Sequence, residues 1–186
     1  MQAINKIPAI REDNPPGLCM IRLISAGDVV EVLTPDQHAT NTNWLELPFG
    51  GLKVAEGATI IDVYQANDVA TFNENLVKDA QGERWRQQLN LMPSHDTAER
   101  GRVARALSKN RWIAIVSSSF DTTRLVGMPD QPLKLVDGAM SSSKINWALS
   151  LRCETMYPSF YLPSVDLVDI VGFVPFDIGF SLGFES

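Results

Sequence analysis

The sequence predicts an α+β fold, mostly antiparallel β: a β-sandwich or barrel-like body with one inserted helix at about 95–109 and extended N- and C-terminal arms. Two observations lead there. Short runs rich in β-branched and aromatic residues recur between clusters of Gly, Pro, Asn and Asp, and only one segment combines helix-start signals with helical spacing. With 186 residues there is room for one domain, because a second full core needs roughly 150 residues of its own. The expected division is an arm over 1–17, a β-rich body over 18–163 and a Phe-rich acidic extension over 164–186.

Pro8, Pro15, Pro16 and Gly17 make the first segment irregular. Cys19–Ile24 and Val29–Leu33 then flank Ser25-Ala26-Gly27-Asp28, which predicts a hairpin. Residues 34–57 read mostly as loop, with a brief pairing segment at Trp44–Leu47, and Ala58–Tyr64 reads as a buried strand. Val69–Val77 fits both periods, but the turn at Asp79-Ala80-Gln81-Gly82 and the alternation that follows favour a strand. In Glu83–Met92, Trp85, Gln87, Leu89 and Leu91 share one face and Arg84, Arg86, Gln88 and Asn90 the other, which predicts a second hairpin with one wet face.

The helix follows Pro93, with Asp96 as its cap and Glu99 three residues on in an Asp form of the capping box. Ala98, Val103, Ala106 and Leu107 give it a narrow apolar stripe beside Arg100, Arg102, Arg105 and Lys109. That reads as a surface helix covering a sheet, or as a docking face for an acidic partner. Arg111–Val116, Thr123–Val126, Leu133–Val136 and Ile145–Glu154 are then four strands, and their short connections predict an antiparallel meander. Pro158 and Pro163 close the regular part.

Sixteen Lys and Arg against 22 Asp and Glu give a net charge of −6, which disfavours stable nucleic-acid binding. Met1–Ala9 lacks the basic, apolar and small-residue pattern of an export signal. Asp166, Asp169, Asp177 and Pro175 disqualify the apolar stretch 165–184 as a membrane span. Cys19 and Cys153 are expected as buried free thiols.

Motifs for catalysis are weak. His38 and His95 lie far apart and near no cluster of metal-ligand spacing, so no metal, cofactor or catalytic residue is assigned. Ser141-Ser142-Ser143-Lys144 satisfies S-x-x-K without its companion motifs, and Asp121-Thr122-Thr123 has no second copy to supply a paired carboxylate. Of Trp44, Trp85, Trp112 and Trp147, three sit on predicted strands in core-like positions. The expected assembly contacts are Phe173, Phe176, Phe180 and Phe184, half of the eight Phe, in a segment with no Lys or Arg.

Ile7-Pro8-Ala9-Ile10-Arg11 with Pro16-Gly17-Leu18, Arg111-Trp112-Ile113-Ala114-Ile115-Val116 with Arg124-Leu125-Val126-Gly127, Pro132-Leu133 and Tyr157-Pro158-Ser159-Phe160-Tyr161 resemble structural proteins in tail and neck modules of phages infecting Bacteroidetes. The body with one inserted helix also resembles the tail-tube family, whose members stack as hexameric rings around a DNA channel. The resemblance implies a non-enzymatic virion protein, made in the host cytoplasm, that forms a homo-oligomeric ring and touches other virion proteins. DNA would pass without specific binding, helped by an acidic lumen that repels phosphate. Two other readings remain: a carbohydrate- or receptor-binding sandwich using exposed Trp, and a hydrolase with a dispersed site.

Overall fold

The computed structural model describes residues 18–34, 45–48, 50–64, 70–80, 82–91, 98–118, 122–141 and 146–162. Both expected arms lie outside them. The body is mostly antiparallel β in three sheets with a single α-helix among the described residues, as the sequence predicts.

Eleven strands run in chain order: β1 (Leu18–Ser25), β2 (Val29–Val32), β3 (Leu52–Val54), β4 (Ile60–Tyr64), β5 (Thr71–Asp79), β6 (Gly82–Leu91), β7 (Trp112–Ser118), β8 (Thr123–Val126), β9 (Lys134–Ser141), β10 (Asn146–Thr155) and β11 (Phe160–Leu162). The helix α1 (Ala98–Lys109) lies between β6 and β7. A five-stranded sheet has the order β11-β8-β7-β1-β4, a four-stranded sheet the order β5-β6-β10-β9, and β2 pairs with β3 alone.

The five-stranded sheet is the middle layer, buried on both faces. On one face Ile21, Leu23, Trp112, Ala114, Val116 and Val126 pack against Leu89, Leu91, Leu149, Leu151 and Cys153 of the four-stranded sheet and against Ala104 and Leu107 of α1. On the other, Ile24, Ile113, Ile115, Leu125 and Phe160 meet Val29, Val32 and Leu52 of the small ribbon and Leu47. Because side chains alternate, a strand covered on both sides reads as an unbroken apolar run, and Trp112-Ile113-Ala114-Ile115-Val116 is that run. Trp112 is fully buried and its indole Nε1 donates to the Leu107 carbonyl at 3.2 Å, which fixes the end of α1 on the sheet.

Three expected pairings change. β1 and β2 both exist, but they form no hairpin: β1 is flanked by β4 and β7, and β2 pairs with β3 in another layer. The residues between them form a 3-10 turn, Ala26–Asp28, whose first amide donates to the Arg111 carbonyl at 2.8 Å and turns the chain out of the sheet. The predicted meander splits into β7-β8 in one sheet and β9-β10 in the other. The crossing is made after Gly127, held at φ +83, and is closed by paired Trp112 and Leu133 amide–carbonyl bonds of 3.0 and 2.8 Å. Finally, Phe160–Leu162 is a strand that pairs with β8, although Pro158 and Pro163 bracket it. The prolines cost no pairing because they lie outside Phe160–Leu162, whose own amides and carbonyls make the bonds to β8 and to Leu45 and Leu47.

The hairpin β5-β6 pairs from Thr71↔Asn90 to Asp79↔Gly82, as expected from its alternation. β4 is an edge strand rather than a fully buried one, with Asp62 exposed and tied by its carboxylate to Arg22 at 2.6 and 2.9 Å. β3 forms within the stretch expected to be loop, and the brief pairing expected over Trp44–Leu47 is present at Leu45 and Leu47 as two backbone bonds to Tyr161.

Candidate functional site

Alternation along β5 and β6 sends Phe72 and Glu74 to the same side as Gln87, Leu89 and Leu91. Glu74, Gln87 and Cys153 are successive partners across three strands, so one rung of the inner face is polar where its neighbours are apolar. Opposite this rung stand Arg124 of β8 and Ser159 and Tyr161 at β11, supplied by the edge of the middle sheet. A polar seam therefore closes one margin of the sandwich.

The seam is densely bonded. Glu74 Oε1 accepts from the Ser159 backbone amide at 2.6 Å and from Gln87 Nε2 at 3.0 Å, and Oε2 accepts from Ser159 Oγ at 3.3 Å. Arg124 Nη1 lies 3.9 Å from Glu74 Oε2, and Nη2 donates to the Tyr161 hydroxyl at 2.5 Å. Its guanidinium carbon sits 4.4 Å above the Tyr161 ring, a cation–π stack that keeps the charge beside the carboxylate. Gln87, 1% exposed, also accepts the Gly127 amide at 2.8 Å and the Cys153 thiol at 3.5 Å.

Every bond the Glu74 carboxylate makes here is to a protein donor, and the nearby thiol is a poor nucleophile. Burial pushes the Cys153 thiol up to about 12, with the negative charges of Glu74 and Glu154 adding to the effect, so it stays protonated near neutrality. The seam works as a joint between sheets.

A second polar feature covers the outer face of the four-stranded sheet. Gln88 Nε2 donates to Asn90 Oδ1 and to Ser150 Oγ, each at 3.0 Å, and Asn90 Nδ2 donates to Thr71 at 3.1 Å. With Arg152, Asp137 and Val136 these residues line an open depression of about 470 Å³. Towards the hairpin end, Arg86 holds Glu154 through two bonds of 2.8 and 2.9 Å, and Arg84 pairs with both Glu154 and Asp79. This face is hydrogen-bond-rich and open to solvent.

The sequence-derived candidates fall differently. Phe173, Phe176, Phe180 and Phe184 lie outside the described residues, as do His38, His95, Asp96, Asp121 and Trp44. Cys153 is a free, buried thiol as expected, and Trp112 is core. Trp85 is half-buried on the inner side of β6. Among the described residues no three His, Cys, Asp or Glu side chains converge in a metal-binding arrangement, and no helix is long and apolar enough to cross a membrane. Glu74 and Arg124 had no motif to mark them, but Gln87 carried a signal: an amide inside an otherwise apolar face.

No protein-family model matches the chain, and neither a curated protein nor a solved structure matches it.

Proposed function

We propose that the chain is a non-enzymatic structural protein of a phage virion, a tail or neck component that self-associates into rings around a DNA channel. The observation that carries this reading is the four-stranded sheet, whose two outer strands, β5 of nine residues and β9 of eight, each pair on one side only among the described residues. Long unpaired edges are templates for another strand, and soluble monomers normally keep them short or cover them. Joining β5 of one copy to β9 of the next makes a heterologous contact, which closes into a ring when the rotation per copy permits. Exposed Leu76 on β5 and Val136 on β9 add apolar area to that contact.

The outer face of such a joined sheet would line the channel. It is rich in amides and hydroxyls, and its charges nearly cancel: Arg84, Arg86, Lys134 and Arg152 against Asp79, Asp137 and Glu154. The acidic excess of the chain is not concentrated there, so passage of DNA would rest on weak binding by a near-neutral wall rather than on repulsion. Six copies is the number that the tail-tube resemblance implies. Size-exclusion chromatography with light scattering, followed by negative-stain imaging, tests the reading. Rings or tubes are expected, and a monomer at every concentration overturns it.

One observation favours a second reading, a glycan- or receptor-binding module. The bonded set Thr71, Gln88, Asn90, Ser150 and Arg152 presents planar amides and a guanidinium in one depression, a donor and acceptor array suited to hydroxyl-rich ligands. Glycan-array binding lost on Gln88→Ala would support it.

A further inference from the structure

We propose that the basic stripe of α1 is a docking surface for the acidic C-terminal segment, residues 163–186, of a neighbouring copy of this chain. The inference rests on the assembly reading and adds to it which surfaces meet.

Arg102, Arg105 and Lys109 occupy helix positions separated by three and four residues, so at about 100° per residue they fall within roughly 60° of arc. All three are exposed, Arg111 just beyond them is exposed as well, and among the described residues none of these side chains has an ion-pair partner. From Arg100 to Arg111 the sequence holds five cations and no anion. Unpaired like charges this close repel one another, and the helix C-terminus relieves only part of that cost.

The complement is in the same chain. After Arg152 there is no Lys or Arg, and residues 163–186 carry Asp166, Asp169, Asp177 and Glu185 with no cation. Spacing agrees with charge: Arg102 to Lys109 spans about 10 Å along the helix, and Asp166 to Asp169 spans about 10 Å when extended. Phosphate is the weaker candidate, because a chain of net charge −6 repels a polyanion as a whole.

Position sets the polarity of the contact. β11 delivers the chain to Leu162, beside Thr123, which pairs with Ser117. α1 enters the same sheet at Trp112, five residues further along β7, or about 17 Å away at the other end of the strand. β11 thus ends at one end of the sandwich while the C-terminal end of α1, next to Lys109, joins it at the other, the polarity a head-to-tail assembly needs.

Carbodiimide coupling of the full-length protein tests this, using a mixture of ¹⁵N-labelled and unlabelled chains so that mass spectrometry separates links within a copy from links between copies. Links from Lys109 to Asp166, Asp169, Asp177 or Glu185 that carry mixed labels are expected at about 50 mM salt and should fade near 1 M, where screening is complete within a few ångströms. Combined Arg102→Glu and Arg105→Glu substitutions should lower the mixed-label yield about tenfold or more, and Asp166→Lys with Asp169→Lys should restore it. Links confined to one copy overturn the proposal, as does a charge-reversed protein that couples like the wild type. Capture of labelled duplex DNA by the wild type but not by the reversed variant would assign the stripe to phosphate instead. An oligomer seen by light scattering without these links sinks this inference and leaves the ring reading standing, whereas a monomer under all conditions removes both.

Discussion

Gln87 Oε1 accepts the backbone amide of Gly127 at 2.8 Å, while the same side chain gives its Nε2 to Glu74 at 3.0 Å. One buried amide thereby links the four-stranded sheet, through β6, to the turn at which the chain leaves β8 and crosses between sheets. Leaving a buried donor without a partner costs more than the bond itself is worth, so this residue matters to folding out of proportion to its size.

Replacing Gln87 by Leu strands the Gly127 amide and removes a donor from Glu74. Unfolding free energy should fall by about 2–3 kcal/mol, read from urea denaturation. Gln88→Ala, on the wet face of the same strand, should change it by no more than about 0.5 kcal/mol. Equal losses from the two variants would show that the Gln87 bonds are not special.

The turn itself gives a second expectation. Gly127 is held at φ +83, a region in which a Cβ crowds the following carbonyl. Gly127→Ala should cost about 1–2 kcal/mol, all of it from backbone conformation, because a Cβ there would meet Leu133 at ordinary contact distances of 3.4–3.5 Å. Thermal melts compared with Gly57→Ala, at φ +75 where the added Cβ meets nothing, separate the effect of backbone conformation from the effect of contact with Leu133.

Much of this architecture was legible. The β5-β6 hairpin announced itself because Arg84, Arg86, Gln88 and Asn90 alternate with Trp85, Gln87, Leu89 and Leu91, a period only a half-buried strand explains. β1 hid its partners for the opposite reason. Ile21, Leu23 and Ile24 are buried on both faces, and a continuous apolar run says that a strand is central without saying which strands flank it. Proximity then favoured a hairpin with β2, and the 3-10 turn that redirects the chain carries no distinctive signature in Ser25-Ala26-Gly27-Asp28. The seam was half legible: Gln87 was visible as a polar residue on an apolar face, but Arg124 and Tyr161 meet it only through a strand too short to be recognised between two prolines.

Cys153 couples stability to alkaline pH. Its thiol is pushed from 9.0 in the open chain to about 12 in the fold, so above pH 9 the unfolded chain releases a proton that the folded chain keeps. The contribution is fully present below about pH 9 and is lost as pH rises towards 12. Between pH 8 and pH 10 the wild type should lose about 1 kcal/mol more than Cys153→Val, whose absolute stability differs but which lacks this titration. Urea unfolding at both values checks it, and parallel slopes would rule the coupling out. The same protonation predicts slow alkylation of Cys153 in the native state.

Assembly through strand edges makes a final, site-specific demand. Val136 is 52% exposed on β9, beside the irregularity where Ser150 pairs with Asp137 and Leu151 with Leu135, whereas Val30 is 69% exposed on the separate β2-β3 ribbon. A lysine at an edge resists docking of another strand, since its charge would be carried into the new interface. If β9 receives the neighbour's β5, Val136→Lys should weaken self-association about tenfold or more, roughly the loss expected from burying one unpaired charge beside a partner strand. Val30→Lys, a larger removal of exposed apolar surface away from that edge, should leave the assembly unchanged. Light scattering across a dilution series compares the two, and equal behaviour would place the contact elsewhere than the edges of the four-stranded sheet.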